Sequence, residues 1–226
     1  MTLTLDNVTY SYRTKYQTVN AVKEVSCAFE SGAFHALVGR SGSGKTTLLS
    51  LMAGLERPNS GEIIIDGEPL VKADIDKLRR ESISVIYQNF NLFPLLTVQE
   101  NVMYPLLLKK TPKKEAERQA GTMLDRVGLD SGYFRRLPAM LSGGEQQRVA
   151  IARALATGAG IILADEPTGN LDGENARNIV ELLKGLAHED GRCVIVVTHD
   201  SGIAAEADAV YQMDSGVLSK IKGWDG

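Results

Sequence analysis

Two stretches of this chain carry residue types whose order fits phosphate chemistry. The first, Gly39-Arg-Ser-Gly-Ser-Gly44-Lys45-Thr46, matches the pattern G-x-x-x-x-G-K-S/T between an apolar run and an amphipathic segment. Its glycines let the backbone curl so that successive N–H groups face an anion. The helix expected to follow adds its positive end. Lys45 then supplies a point charge to β- and γ-phosphates, and the Thr46 hydroxyl is suited to Mg²⁺. Gly39, Ser41, Gly42, Gly44, Lys45, Thr46 and Thr47 are the candidate nucleotide contacts of this loop. The second stretch, Ile161-Ile-Leu-Ala-Asp165-Glu166, places two carboxylates after four apolar residues. If those four form a buried strand, both acids face the crevice beyond its carboxyl end. Asp165 is then placed to hold Mg²⁺ and Glu166 to polarise an attacking water.

A third stretch, Leu141-Ser142-Gly143-Gly144-Glu145-Gln-Gln-Arg148, begins a helix with a Ser142/Glu145 capping box. Paired glycines in a first helical turn cost up to about 1 kcal/mol each relative to Ala, so they need a reason. Exposed backbone N–H groups at a positive helix end make a second anion site, one without a lysine of its own.

These pieces need a scaffold. Phe34–Val38, Ile83–Tyr87, Gly160–Ala164 and Cys193–Thr198 are short apolar runs separated by helical patterns, which indicates a parallel sheet buried on both faces. Leu3–Tyr12 and Val19–Phe29 read as an antiparallel cap at the N-terminus, and Glu62–Ile65 as a separate strand closing on the turn Asp66-Gly67. Residues 89–156 hold no clear strand. There the capping box Thr97-Val-Gln-Glu100 opens a helical pattern that runs through Leu108 and on to about Val127,. Further helices are expected near Asp74–Arg80 and Gly173–Ala187, and a last strand at Ala209–Met213. The fold class is therefore α/β, a phosphate-loop core with a mainly parallel sheet, an N-terminal antiparallel β subdomain and a helical insertion.

Composition narrows the partners. The chain has 226 residues, 43% hydrophobic and 23% charged, with a formal net charge of −3. A mildly acidic chain gives no reason to expect nucleic acid. Cys27 and Cys193 stand alone and read as buried thiols of a reducing compartment. The first residues lack a signal-peptide profile, and no apolar run reaches the roughly 20 residues that span a bilayer. Any membrane role is expected to run through a partner.

The phosphate loop, the Ser142-Gly143-Gly144 segment and the Asp165-Glu166 strand, in this order and spacing, resemble the nucleotide-binding domain of ABC transporters. The resemblance covers the whole chain, 1–226, as a single domain with a helical subdomain at about 89–156. It implies ATP and Mg²⁺ as cofactors, and a homodimer in which Ser142, Gly143 and Gly144 of one subunit close on the ATP held by the other. It also implies roles for residues that are uninformative alone. Tyr12 stacks on adenine. Gln88 touches Mg²⁺ or the lytic water. His199, just past the strand ending at Thr198, contacts the γ-phosphate and steadies the water. Asn170-Leu171-Asp172 crosses the dimer interface, and Asp172 also caps the next helix. The segment Gln88–Pro94, with Phe90, Leu92 and Phe93, receives a coupling helix from a transmembrane permease, at the cytoplasmic face of the membrane. Asp165-Glu-Pro-Thr-Gly-Asn-Leu-Asp172 is similar to the branch of lipoprotein-releasing, macrolide-exporting and antimicrobial-peptide-resistance ATPases. Two other functions remain open on sequence: gating a membrane partner without transport, and a soluble ATPase acting on nucleic acid or ribosomes. His35 and His188 read as structural.

Overall fold

A computed structural model describes residues 1–13, 15–72 and 74–222. It contains ten strands: β1 (Leu3–Arg13), β2 (Thr18–Phe29), β3 (Phe34–Val38), β4 (Ser60–Ile65), β5 (Glu68–Pro69), β6 (Ile83–Tyr87), β7 (Ile161–Asp165), β8 (Cys193–Thr198), β9 (Ala209–Asp214) and β10 (Val217–Lys222). The helices are α1 (Lys45–Met52), α2 (Ile75–Glu81), α3 (Val98–Leu108), α4 (Lys113–Arg126), α5 (Gly143–Ala156), α6 (Gly173–His188) and α7 (Ser201–Glu206).

Six strands form one sheet in the order β10-β9-β3-β8-β7-β6. All its pairings are parallel except that between β9 and β10. Side chains alternate between the faces of a strand, and β7 and β8 use this to feed two cores. Ile162, Ala164, Val194 and Val196 join the core shared with α3, α4, α5 and α6. Ile161, Leu163, Ile195 and Val197 join the core under α1 and the second sheet. Burial on both faces is why these runs read as continuous hydrophobic stretches.

The second sheet, ordered β2-β1-β4-β5, is antiparallel. It is not confined to the N-terminus as the sequence suggested, because β4 and β5 return to it after α1. Leu3, Leu5 and Val8 of β1 and Ile63 and Ile65 of β4 send their apolar side chains into the α1 core.

Two further expectations are corrected. The helical pattern from residue 97 to about 127 is two helices. The chain leaves α3 through Lys110 at φ 64°. Lys110 N–H donates to the Leu107 carbonyl at 2.9 Å and Thr111 N–H to the Leu106 carbonyl at 3.0 Å. That crossed pair is a Schellman C-terminus, and Pro112 then prevents the helix from resuming in register. The expected last strand is also followed by another, β10, which turns back at Ser215-Gly216 and pairs with β9. Between β6 and β7 no strand occurs, only α3, α4, α5 and short turns.

Candidate functional site

Four parallel strands end at one level. The register pairs Val38 with Thr198, Val197 with Asp165, and Asp165 with Tyr87. The residues that follow, Gly39, His199, Glu166 and Gln88, therefore emerge along one carboxyl edge, where open α/β sheets bind ligands. A cleft of about 1050 Å³ opens there.

The loop from Gly39 to Gly44 forms one wall. Gly44 has φ 109°, and a Cβ on it would collide with the Ala21 carbonyl oxygen, so the loop is pressed against β2 where only glycine fits. Helix α1 starts at Gly44 without a side-chain cap, leaving its first N–H groups to face the cleft. Lys45 Nζ donates to the Gly39 carbonyl at 2.7 Å and to the Arg40 carbonyl at 3.1 Å, which lays the ammonium across the loop. The Ser43 hydroxyl, also lining the cleft, is buried without a hydrogen-bond partner, an orphaned polar atom that a phosphate oxygen would satisfy. Ser41, Gly42, Thr46 and Thr47 complete this wall. Tyr12 stands at the rim, half exposed, its hydroxyl 3.2 Å from Thr47 Oγ1 and its ring edge-on to Tyr10 at 5.0 Å.

Of the two acids Glu166 lines the cleft, whereas Asp165 is not among the lining residues and sits beside Thr46 and Lys45 at the foot of the loop. The Thr46 hydroxyl lies beside the Asp165 carboxylate and favours its ionised form. Burial, and secondarily the Glu166 charge, raises its pKa above the usual Asp value, while Lys45 and Thr46 pull it back down,. Glu166 breaks the strand with φ 46°, and its N–H donates to the Val197 carbonyl at 2.9 Å. A non-glycine residue in the left-handed region is uncommon and clusters at functional sites. Glu166 Oε1 lies 2.9 Å from His199 Nδ1, and that hydrogen bond, reinforced by the carboxylate charge, raises the His199 pKa. Gln88 reaches the same cleft, tied to Asn170 by its Nε2 at 3.4 Å and its carbonyl at 3.1 Å.

Ser142, Gly143 and Gly144 do not line this cleft. The capping box is formed, with Ser142 N–H on Glu145 at 2.7 Å and Glu145 N–H on the Ser142 hydroxyl at 3.3 Å. A Cβ on Gly143 would touch Leu171 and Phe90, and one on Gly144 would strike the Asn175 side chain. The paired glycines thus let α5 start against the Asn170–Leu171 loop and α6. Asp172 caps α6 through Asn175 N–H at 2.9 Å. In the segment expected to receive a permease the apolar side chains divide between core and surface. Phe90 and Leu92 are half-buried, and Leu92 packs on the core. Phe93, tilted against Tyr104 with ring centroids 4.6 Å apart, and Leu95, 88% exposed, are this segment's apolar side chains on the surface.

Sequence reasoning missed the floor of the cleft. Val19, Asn20 and Lys23 of β2 line it, as do Ser215 and Gly216. Gly216 N–H donates to the Ser43 carbonyl at 3.0 Å and its carbonyl accepts from Lys23 N–H at 2.8 Å, so the β9–β10 turn buttresses the phosphate loop. Asp214-Ser215-Gly216 between two alternating runs is a hairpin signal, but its landing place is a long-range fact. His35 is buried beside Phe29 and Tyr211, and His188 pairs with Asp208 at 2.8 Å.

A phosphate loop at the carboxyl edge of a parallel sheet, faced by a strand-end acid pair, defines a nucleoside-triphosphate hydrolase of the phosphate-loop class. The family model described as ABC transporter matches residues 22–169. MJ0796 of Methanocaldococcus jannaschii, described as an uncharacterized ABC transporter ATP-binding protein, is 40% identical over 230 residues, covering 98% of each chain. Its dimeric post-hydrolysis structure bound to ADP and Pi matches with a TM-score of 0.88 at 39% identity, covering 98% of this chain and 99% of that one. The lipoprotein-releasing system ATP-binding protein LolD of Saccharophagus degradans is 42% identical over 217 residues, 95% of each chain. The pyoverdine export ATP-binding/permease protein PvdT of Pseudomonas savastanoi pv. phaseolicola is 43% identical over 203 residues, 88% of this chain and 31% of that longer one. The chain belongs to the ABC transporter family. It is an ATPase, and its cofactors are ATP and Mg²⁺. The donor set fits the metal. Among the described residues no cluster of three His, Cys, Asp or Glu side chains exists, and Thr46 beside Asp165 offers hard oxygens at the foot of the loop. Magnesium is commonly held this way, by one or two protein oxygens plus phosphates and water.

Proposed function

We propose that this chain is a single ABC ATPase domain, with residues of about 89–156 as its helical subdomain, that pairs head-to-tail with a second copy and drives a separate membrane permease. The observation that carries the pairing is the position of Ser142–Gly144: a glycine-rich helix start on α5 that lies outside the cleft of its own chain. Closing it on the nucleotide held by another copy gives that anion site its ligand and the cleft its missing wall. The dimeric state of MJ0796 supports this reading.

In this reading Lys45 places its charge against the β- and γ-phosphates and the loop N–H groups orient them. Bound Mg²⁺ supplies charge neutralisation at the phosphate oxygens. Asp165 and Thr46 hold the metal's side of the site, with Gln88 reaching the same region. Glu166 orients and polarises the water, and His199, hydrogen-bonded to Glu166, contacts the γ-phosphate and steadies that water. Tyr12 stacks on the adenine ring.

The permease docks near Gln88–Pro94, where Phe93 and Leu95 offer apolar surface,. No helix among the described residues is long and apolar enough to cross a membrane. In PvdT a cassette and a permease share one name and one longer chain, which supports a peripheral site at the cytoplasmic face for this subunit. Likeness to LolD and PvdT favours export or extraction of a lipophilic or peptide-like cargo, with gating of a partner without transport as the alternative. Glu166→Gln tests the core of the proposal. With ATP and Mg²⁺ it is expected to run as a dimer in size-exclusion chromatography and to turn over little. A variant that stays monomeric with ATP bound, or that hydrolyses at the unmodified rate, would sink it.

A further inference from the structure

Arg153 lies deep in α5, well past the glycine-rich start, and belongs to none of the motifs above. Its guanidinium crosses to the loop that follows β6. Nη1 donates to the Asn91 carbonyl at 2.6 Å and Nη2 to the Phe90 carbonyl at 3.0 Å. The group also sits 5.9 Å from the centroid of the Phe93 ring. Phe90 and Asn91 are both left-handed, with φ of 60° and 47°. Their carbonyls are thereby turned out of any strand or helix pattern and need donors from elsewhere. Arginine's planar fork meets two adjacent acceptors from one position, which a lysine ammonium does less well. Gln88, two residues earlier, is held from the other side, where Asn170 Nδ2 donates to its carbonyl at 3.1 Å.

We propose that Arg153 is a positioning residue for Gln88. It locks the Phe90–Asn91 bend to α5, so that Gln88 in the cleft, Phe93 on the docking face and the Ser142–Gly144 start of α5 move as one body. A displacement imposed at Phe93 then reaches Gln88 and the partner copy's nucleotide together. The inference rests on the role given to Gln88 above. Arg153 does not line the cleft, so its removal is expected to act on the chemical step rather than on ATP binding.

The test is steady-state ATPase kinetics on the full chain for Arg153→Ala, Arg153→Lys, Gln88→Ala and the doubles with Gln88→Ala. Arg153→Ala is expected to lower kcat about tenfold, the equivalent of about 1.4 kcal/mol. KM for ATP is expected to stay within about twofold of the unmodified chain, and Arg153→Lys should fall between. Because Arg153 acts through Gln88, adding Arg153→Ala to Gln88→Ala should lower kcat no further. Losses that multiply in the double variant overturn the proposal. So does a lowered melting temperature with kcat per folded molecule unchanged. If Arg153→Ala does not fold, Arg153→Lys in the same cycle decides. An unchanged kcat in Gln88→Ala alone is a separate result, which overturns the role of Gln88 itself.

Discussion

Glu166 pays for its position with backbone strain, and the size of that strain is measurable. At φ 46° a residue with a Cβ is disfavoured by roughly 1–2 kcal/mol, whereas glycine is indifferent. Glycine in turn loses roughly 0.5–1 kcal/mol more conformational entropy on folding than alanine does. Glu166→Ala and Glu166→Gly both delete the carboxylate and its bond to the exposed His199, so the difference between them isolates the backbone. We expect Glu166→Gly to be the more stable by about 0.5–1 kcal/mol, the strain relieved less the entropy lost. For a chain of this length that corresponds to about 1–4 °C in melting temperature. The assay is equilibrium urea unfolding of both variants without nucleotide, with thermal melts as a check. Both variants should have lost ATP turnover. If Glu166→Ala proves as stable as Glu166→Gly, or more so, the left-handed turn is not strained and the reasoning fails.

Two other predictions follow from the same edge of the sheet. The His199 pKa is raised from 6.5 by Glu166, so the pair contributes stability that is present below about pH 6.5 and lost as pH rises through the higher folded-state value. An NMR titration should show the His199 imidazole falling back toward 6.5 in Glu166→Gln; an unchanged titration would mean that the carboxylate does not set it. Gly44→Ala forces a Cβ into the Ala21 carbonyl at a positive φ. It should cost about 1–3 kcal/mol and weaken ATP binding measured by calorimetry, whereas Gly42→Ala, strained at φ 77° but with open space around its Cβ, should lose less of both.

Much of this arrangement was legible because it is local. The phosphate loop between β3 and α1, the capping boxes at Thr97 and Ser142, and the double-faced strands β7 and β8 all announce themselves within a few residues. The break at Lys110 was legible too, since Pro112 is a helix-stop signal, but the flanking periodicity hid it. What could not be read is what depends on distant backbone. The β9–β10 turn landing on Ser43, the β2 floor at Asn20 and Lys23, and the fork from Arg153 to Phe90 and Asn91 all join elements far apart in sequence. Leu92 shows a different limit. An apolar residue in an expected loop can as well pack inward as dock a partner, and only the structure puts it on the core while leaving Phe93 and Leu95 outside.

The acid pair shows why local pattern and strain belong together. In a regular strand, neighbouring side chains point to opposite faces, so adjacent carboxylates at 165 and 166 should be divided between the two cores. Instead Asp165 closes the strand and meets Thr46, and the left-handed turn at Glu166 re-aims the second carboxylate toward His199. The turn is held by Glu166 N–H on the Val197 carbonyl and by Gly169 N–H on the Glu166 carbonyl at 3.0 Å. Two acids therefore flank one site from consecutive positions, one half-buried beside Thr46 at the foot of the phosphate loop and one lining the cleft beside an exposed histidine. The different environments separate their tasks: burial and the neighbouring charge raise the Asp165 pKa, while Lys45 and a metal at the same spot would favour its ionised form. The backbone strain at Glu166 is what lets two neighbouring residues do this, and relieving it with glycine should return stability at the expense of turnover.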